Sequence, residues 1–329
     1  LSAFDRQGLS HEPNNLRAIN SLLITRSLRW GRHLDLLLTD NRSFRSQPVL
    51  DSAAGQSFRK TGIPYFAAQD VIEVLDAGRT FDGGNPPRTV AFGGEQLPNP
   101  RAEAGPGTML GEQQKEWFLE KLRRSSATWT IWGNSVGMLD LRADFQNLPS
   151  ELADRWPSSG FGVMGTHDWS AYPSERAEIL GAAGKNGTRL VSLVGDRHAF
   201  YAGLVSPTLP PRRYAPVAAE FVVGSISTPS VTEAAAHSLE RTDPLTALVL
   251  AEGPESANPR PALNVTLRHG VRAALALARS GSFATALAEG NPEVAPHLAF
   301  ADAAGHGYAT VHIDAGRMDE LTLTTNGSQ

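Results

Sequence analysis

Three apolar runs in this chain end on side chains that could hold a cation or a phosphate. "LVSLV", Leu190 to Val194, stops at Gly195 and then presents Asp196, Arg197 and His198. "TWTIW", Thr128 to Trp132, stops at Gly133 and presents Asn134. "LDLLL", Leu34 to Leu38, leads into Thr39, Asp40, Asn41 and Arg42. In α/β sheets, sites form outside the carboxyl ends of strands, and glycine there lets the backbone turn sharply. Carboxylate, carboxamide and imidazole donors at neighbouring strand ends suit hard or borderline cations such as calcium, manganese, magnesium or iron more than a structural zinc. Asp196 and His198, two residues apart directly after a buried strand, form the strongest pair. Asp40 alone reads first as a turn residue or N-cap, and so does Asn134. His11, His33, His167, His237, His269, His306 and His312 show no ligand spacing and read as structural.

The elements that must position these residues follow from hydrophobic patterning. Leu34 to Leu38 is apolar enough to suit a strand covered on both faces, with Asp35 near its start where water reaches. Leu190 to Val194 reads as a buried strand and Thr128 to Trp132 as a short aromatic and β-branched one. "MLGEQQKEWFLEKLRRSSA" is the clearest helix: Trp117, Phe118, Leu119 and Leu122 build its apolar face, Glu120 and Arg124 pair at i,i+4, and basic residues trail. "SERAEIL" reads as a second helix capped by Ser174. "AEFVVGSISTPS" is a further strand ending at Gly224, and "GYATVHIDAGRMDELTLTT" alternates like a β-hairpin. Residues 51–107 are rich in Gly and Pro and read as a long excursion over the surface. Residues 141–172 read as loop, and about 230–300 as a helical cap. This order gives an α/β fold with a mixed sheet, and the length allows one large domain or two ordinary ones.

Composition narrows the function classes. With 329 residues there is ample material for a core, and a net charge of −4 gives no footprint for nucleic acid as a specific partner. No run approaches the ~18 apolar residues of a membrane span. The absence of cysteine excludes disulfides, thiolate nucleophiles and Cys-type metal sites. A P-loop and an H-E-x-x-H helix are absent.

Taken in order, "LRWGRHLDLLLTDNRSFRS", "MLGEQQKEWFLEKLRRSSATWTIWGNSV", "HDWSAYPSERAEIL", "LVSLVGDRHAF", "AEFVVGSISTPS" and "APHLAFADAAGHGYATVHID" resemble the PhoD-type alkaline phosphatases and phosphodiesterases, within the calcineurin-like metallophosphoesterases. The resemblance runs from about residue 25 to about 315. It implies a four-layer αββα sandwich, of which this chain supplies the C-terminal part, and hydrolysis of phosphate mono- or diesters by a metal-activated water. Asp196 and His198 then fall in the final metal-ligand motif, and Asn134 at an upstream ligand or phosphate contact. His198 and Asn134 become candidate catalytic residues, and Arg197 and His297 candidates for substrate binding. A metal cluster is implied, with iron and calcium first and manganese, magnesium or zinc as alternatives. A periplasmic or secreted location is implied as well.

The superfamily's N-terminal motifs, D-x-H before residue 196, G-D-x-x-D and G-N-H-[DE] or D-D-H-E, are absent from this sequence. Together with a first residue that is Leu1, this leads to an expected second polypeptide, most simply the N-terminal part of the same precursor, which completes the cluster. The alternative from another class is a non-catalytic, partner-dependent module with an incomplete metal site.

Overall fold

A computed structural model describes residues 12–14, 17, 21, 24–239, 243–251 and 261–324. Their strands are β1 (Arg26–Trp30), β2 (Leu34–Leu38), β3 (Phe66–Ala68), β4 (Thr89–Phe92), β5 (Glu95–Pro98), β6 (Trp129–Gly133) and β7 (Leu141–Ala143), then β8 (Gly162–Met164), β9 (Leu190–Val194), β10 (Phe200–Val205), β11 (Ala218–Val222), β12 (Leu298–Asp302), β13 (Gly307–Ile313) and β14 (Met318–Thr324). The helices are α1 (Gln69–Ala77), α2 (Glu112–Arg124), α3 (Pro173–Asn186), α4 (Val231–Ser238), α5 (Leu263–His269), α6 (Val271–Ser280) and α7 (Phe283–Ala288).

The fold is mixed α/β, as expected. One seven-stranded sheet has the order β1-β2-β6-β9-β11-β10-β12. Its centre, β2, β6, β9 and β11, is parallel; β1 and β10 run antiparallel to it, and the edge strand β12, antiparallel to β10, runs the same way as the centre. The three apolar runs that end on polar side chains are thus β2, β6 and β9, neighbouring strands of the parallel part. Parallel direction also puts the carboxyl ends of β2, β6 and β9 side by side: Leu38, Gly133 and Leu193 share one register row.

One face of the sheet packs on the main core. Phe118 of α2 stacks on Trp132 with ring centroids 4.3 Å apart, and Trp132 meets Trp169 edge-on at 5.4 Å. Ile179, Leu180 and Ala183 of α3 are buried in the same core. The opposite face carries Leu36, Ile131, Val191, Ala219 and Leu204 in one row. Ile131 and Val191 at its middle are buried, whereas Leu28, Trp30, Leu204 and Phe300 toward its two sides are exposed. The β13–β14 hairpin forms as the alternation suggested, and Trp129 Nε1 donates to the carbonyl of Asp314 in its turn at 3.1 Å. No described helix is long and apolar enough to cross a membrane.

Two sequence expectations are corrected. Residues 51–107 are not a surface excursion: they carry β3, α1, β4 and β5, and Phe58, Ile63, Val71, Ile72, Leu75, Val90 and Phe92 are buried. Residues 141–172 are not plain loop, since β7 and β8 pair with β3 into a three-stranded sheet. In both stretches Gly and Pro punctuate short elements rather than marking their absence, and three-residue strands are too brief to show a period.

Helix α3 begins one residue before the expected cap. Pro173 takes its first turn, and the backbone N–H of Ser174 donates to Asp76 Oδ2 of α1 at 2.9 Å. A carboxylate from another helix thus takes the role expected of Ser174. Burial pushes the Asp76 carboxyl up to about 6, against the hydrogen bond from Ser174 that favours its charged form. The folded state therefore binds more protons than the unfolded chain between pH ~4 and ~6. Stability from this group is present below pH ~4, is lost as pH rises through 6, and amounts to about 2–3 kcal/mol. Asp76→Asn should abolish that slope. Urea unfolding of both proteins at pH 4 and pH 7 measures it, and an equal difference at the two pH values would refute the assignment.

Candidate functional site

The strand ends meet through a buried hydrogen-bonded chain. Trp132 Nε1 donates to Thr39 Oγ1 at 2.9 Å, and that hydroxyl donates to Asn41 Oδ1 at 2.6 Å. Asn41 Nδ2 then donates to Asn134 Oδ1 at 2.7 Å. Asn134 Oδ1 accepts a second bond from Trp169 Nε1 at 3.1 Å, and its Nδ2 donates to Ser192 Oγ at 3.3 Å. Asn134, 3% exposed, is thus a junction between β2, β6 and β9. Both lone-pair directions of its carboxamide oxygen are in use, so ligation there would displace Asn41 or Trp169. Asn41, named in the sequence only as one of four polar residues after β2, is buried beside it. The signal was the Asp-Asn pair after β2, of which only the acid drew notice.

Asp40 closes a local turn. Its Oδ1 accepts from the backbone of Arg42 and of Ser43, both at 2.9 Å. Burial works to raise its pKa, but the Ser43 and Arg42 hydrogen bonds prevail and hold it below the ordinary carboxylate range.

The turn after β9 differs from the other two strand ends. Asp196 and His198 are exposed, while Arg197 between them points inward. Both flanking residues have positive φ, 68° for Asp196 and 52° for His198, a backbone region that L residues enter rarely and at a cost of about 1–2 kcal/mol. His198 Nδ1 lies 3.0 Å from the carbonyl oxygen of Pro229. A carbonyl only accepts, so Nδ1 carries a proton, and in the neutral imidazole that leaves the Nε2 lone pair for an oriented ligand role.

The Arg197 side chain is largely buried. Its Nη2 pairs with Asp168 Oδ2, and the same nitrogen donates to the Gly137 carbonyl at 3.4 Å. Asp168 in turn accepts the backbone N–H of Ser170 at 2.8 Å. Burial pushes the Asp168 carboxyl up to about 7, with Arg197 acting in the opposite direction. A cavity of about 190 Å³ is lined by Gly165, Asp168, Asp196, Arg197 and Tyr201. A larger hollow of about 440 Å³ sits by Arg123, Thr128 and Arg189, at the opposite end of the parallel strands.

His297 is buried too, with Nε2 donating to the Asp140 carbonyl at 2.8 Å. Burial lowers its pKa to about 4, so it is neutral at pH 7. Asp140 pairs with Arg176 at 2.6 Å; burial would raise that carboxyl, but the guanidinium prevails and holds it down. Glu220 is also fully buried, accepting from the backbone of Met138 and Leu139 at 2.8 Å. These three anchor the segment that follows Asn134.

That segment begins G-N-S-V-G at residues 133–137, the spelling of a serine nucleophile elbow. The structure does not build one. Ser135 is exposed, its φ is not positive, and no helix follows it directly.

Among the described residues no three His, Asp or Glu side chains converge into a metal site. Asp196 and His198 fit one edge of a cation in donor chemistry and exposure, and no hydrogen bond joins either to Asn134. Against known proteins, the model of the PhoD-like phosphatase family matches residues 11–320. Alkaline phosphatase D of Bacillus subtilis (strain 168) is 20% identical over 193 residues, which are 58% of this chain and 28% of that protein. A solved structure described as "Structure of PhoD" is 17% identical, with a TM-score of 0.39 over 63% of this chain and 30% of the other. The chain thus spans less than a third of the length of these two relatives.

Proposed function

This chain belongs to the PhoD-like phosphatase family, and from that premise we propose that it carries one part of a phosphate-ester-hydrolysing site, with Asp196 and His198 as metal donors. The observation that carries this is the turn at 195–198: an exposed carboxylate and an imidazole set by Pro229 at the end of a central parallel strand. A bound cation cluster, iron and calcium by family resemblance, would neutralise phosphate oxygens and activate water. Asp196 offers its oxygens and His198 its Nε2, while Pro229 fixes the imidazole tautomer. Asn134 braces the strand ends from beneath, and a direct role for it requires the exchange of a hydrogen bond. His297 and Arg197, both turned inward, support the loops around the site.

Two donors do not complete a catalytic shell. We infer that the remaining donors come from a further polypeptide segment of a PhoD-like domain, which also covers the sheet face where Leu28, Trp30, Leu204 and Phe300 are exposed. Native mass spectrometry with metal analysis, alongside hydrolysis of p-nitrophenyl phosphate and bis-p-nitrophenyl phosphate, tests it. The expected result is activity and stoichiometric metal only in a species heavier than the 35.2 kDa chain. An active, metal-loaded 35.2 kDa species would overturn the partner, and a metal-loaded complex without hydrolysis would favour the non-catalytic module.

A further inference from the structure

We propose that Asp168 is a positioning residue that acts through Arg197 to hold Asp196 and His198 in place, an inference that rests on those two being the site's donors. Neither Asp196 nor His198 is glycine, yet each holds a positive φ, so local preference alone would relax the turn. Something must over-determine it.

The residue between them supplies the grip. Arg197 inserts into the molecule with its side chain 7% exposed, and Asp168, 5% exposed, meets it as an ion pair. Pulling the middle residue of a three-residue turn inward drives its two neighbours outward. The socket is shaped for this. A Cβ on Gly137 would lie 2.9 Å from Arg197 Nε, and one on Gly165 only 2.1 Å from Asp168 Oδ2. Both glycines therefore clear space for the pair, and Gly165 also has a φ of 88°. Asp168 is fixed by the Ser170 amide, and the far side of the turn by the Val231 N–H donating to the His198 carbonyl at 3.2 Å. Asp168 and Asp196 line the same cavity, so the brace and the donor it serves share one wall.

The test uses the active protein with any partner it copurifies with. Asp168→Asn, Arg197→Lys and their double variant are compared with Gly137→Ala, which crowds Arg197 without changing a charge. Readouts are kcat and KM on p-nitrophenyl phosphate, Mn²⁺ affinity by paramagnetic resonance, and the His198 imidazole signals by NMR. Each single variant should lower kcat and Mn²⁺ affinity by about tenfold or more, leave KM within about threefold, and shift the His198 signals. The double variant should be no worse than either single, because both act through one tether. Rate losses that multiply, or a lowered melting temperature with unchanged kcat, Mn²⁺ affinity and His198 signals, would overturn the proposal. If Asp196→Ala and His198→Ala themselves leave Mn²⁺ binding unchanged, the donor assignment has failed instead.

Discussion

On the proposed assignment, the Asp196→Ala, His198→Ala double variant is expected to lose bound metal and phosphate-ester hydrolysis while keeping its fold. Removing a residue that merely orients a ligand costs about 10–100-fold, so removing two ligands should cost on the order of 10³-fold or more in kcat/KM. Both side chains are exposed, and exposed substitutions usually stay within about 0.5 kcal/mol. Deleting the imidazole also removes its hydrogen bond to the Pro229 carbonyl, at a cost of about 1 kcal/mol. Metal analysis and urea unfolding of the same preparation separate the two effects. Full metal content in the double variant would refute the assignment, and a collapse of stability would show that the turn serves the fold first.

Arg176→Ala should have the largest effect on stability. Its guanidinium and the Asp140 carboxylate are 5% and 3% exposed and 2.6 Å apart, and Nη1 also donates to the Met138 carbonyl at 2.7 Å. Truncation leaves Asp140 as an unpaired buried charge, which costs about 3–5 kcal/mol out of a total of about 5–15 kcal/mol. Lys115→Ala provides the contrast. It breaks the Lys115–Glu178 pair between α2 and α3, at 2.8 Å but largely in solvent, and should cost about 1 kcal/mol or less. Denaturant midpoints at constant slope distinguish them. Equal losses for the two variants would mean that the buried pair is not a strut of the fold, and the double variant Asp140→Asn, Arg176→Gln should recover much of the loss.

How far the site was legible can be followed residue by residue. Asp196 and His198 stood out because glycine, carboxylate and imidazole follow a strand in immediate succession, and the structure exposes both there. Asn134 was legible as a strand-end residue but not as a buried junction, since its partners Asn41, Trp169 and Ser192 lie 93, 35 and 58 positions away. Asp168 stood inside a quoted motif without drawing notice. Nothing local distinguishes a capping aspartate from one that grips an arginine 29 positions later.

By itself the sequence determined the three central strands, the helix within 109–127, the closing hairpin and the family pattern. All of these rest on periodicity and short-range chemistry, which neighbouring residues carry in full. Only the tertiary structure decided which faces the polar groups take. It turned Arg197 and His297 inward, placed Asp76 rather than Ser174 at the start of α3, and gave 51–107 a buried core. Those outcomes turn on the balance between desolvating a charge and meeting a partner distant in the chain, and a sequence read along its length does not contain that distance.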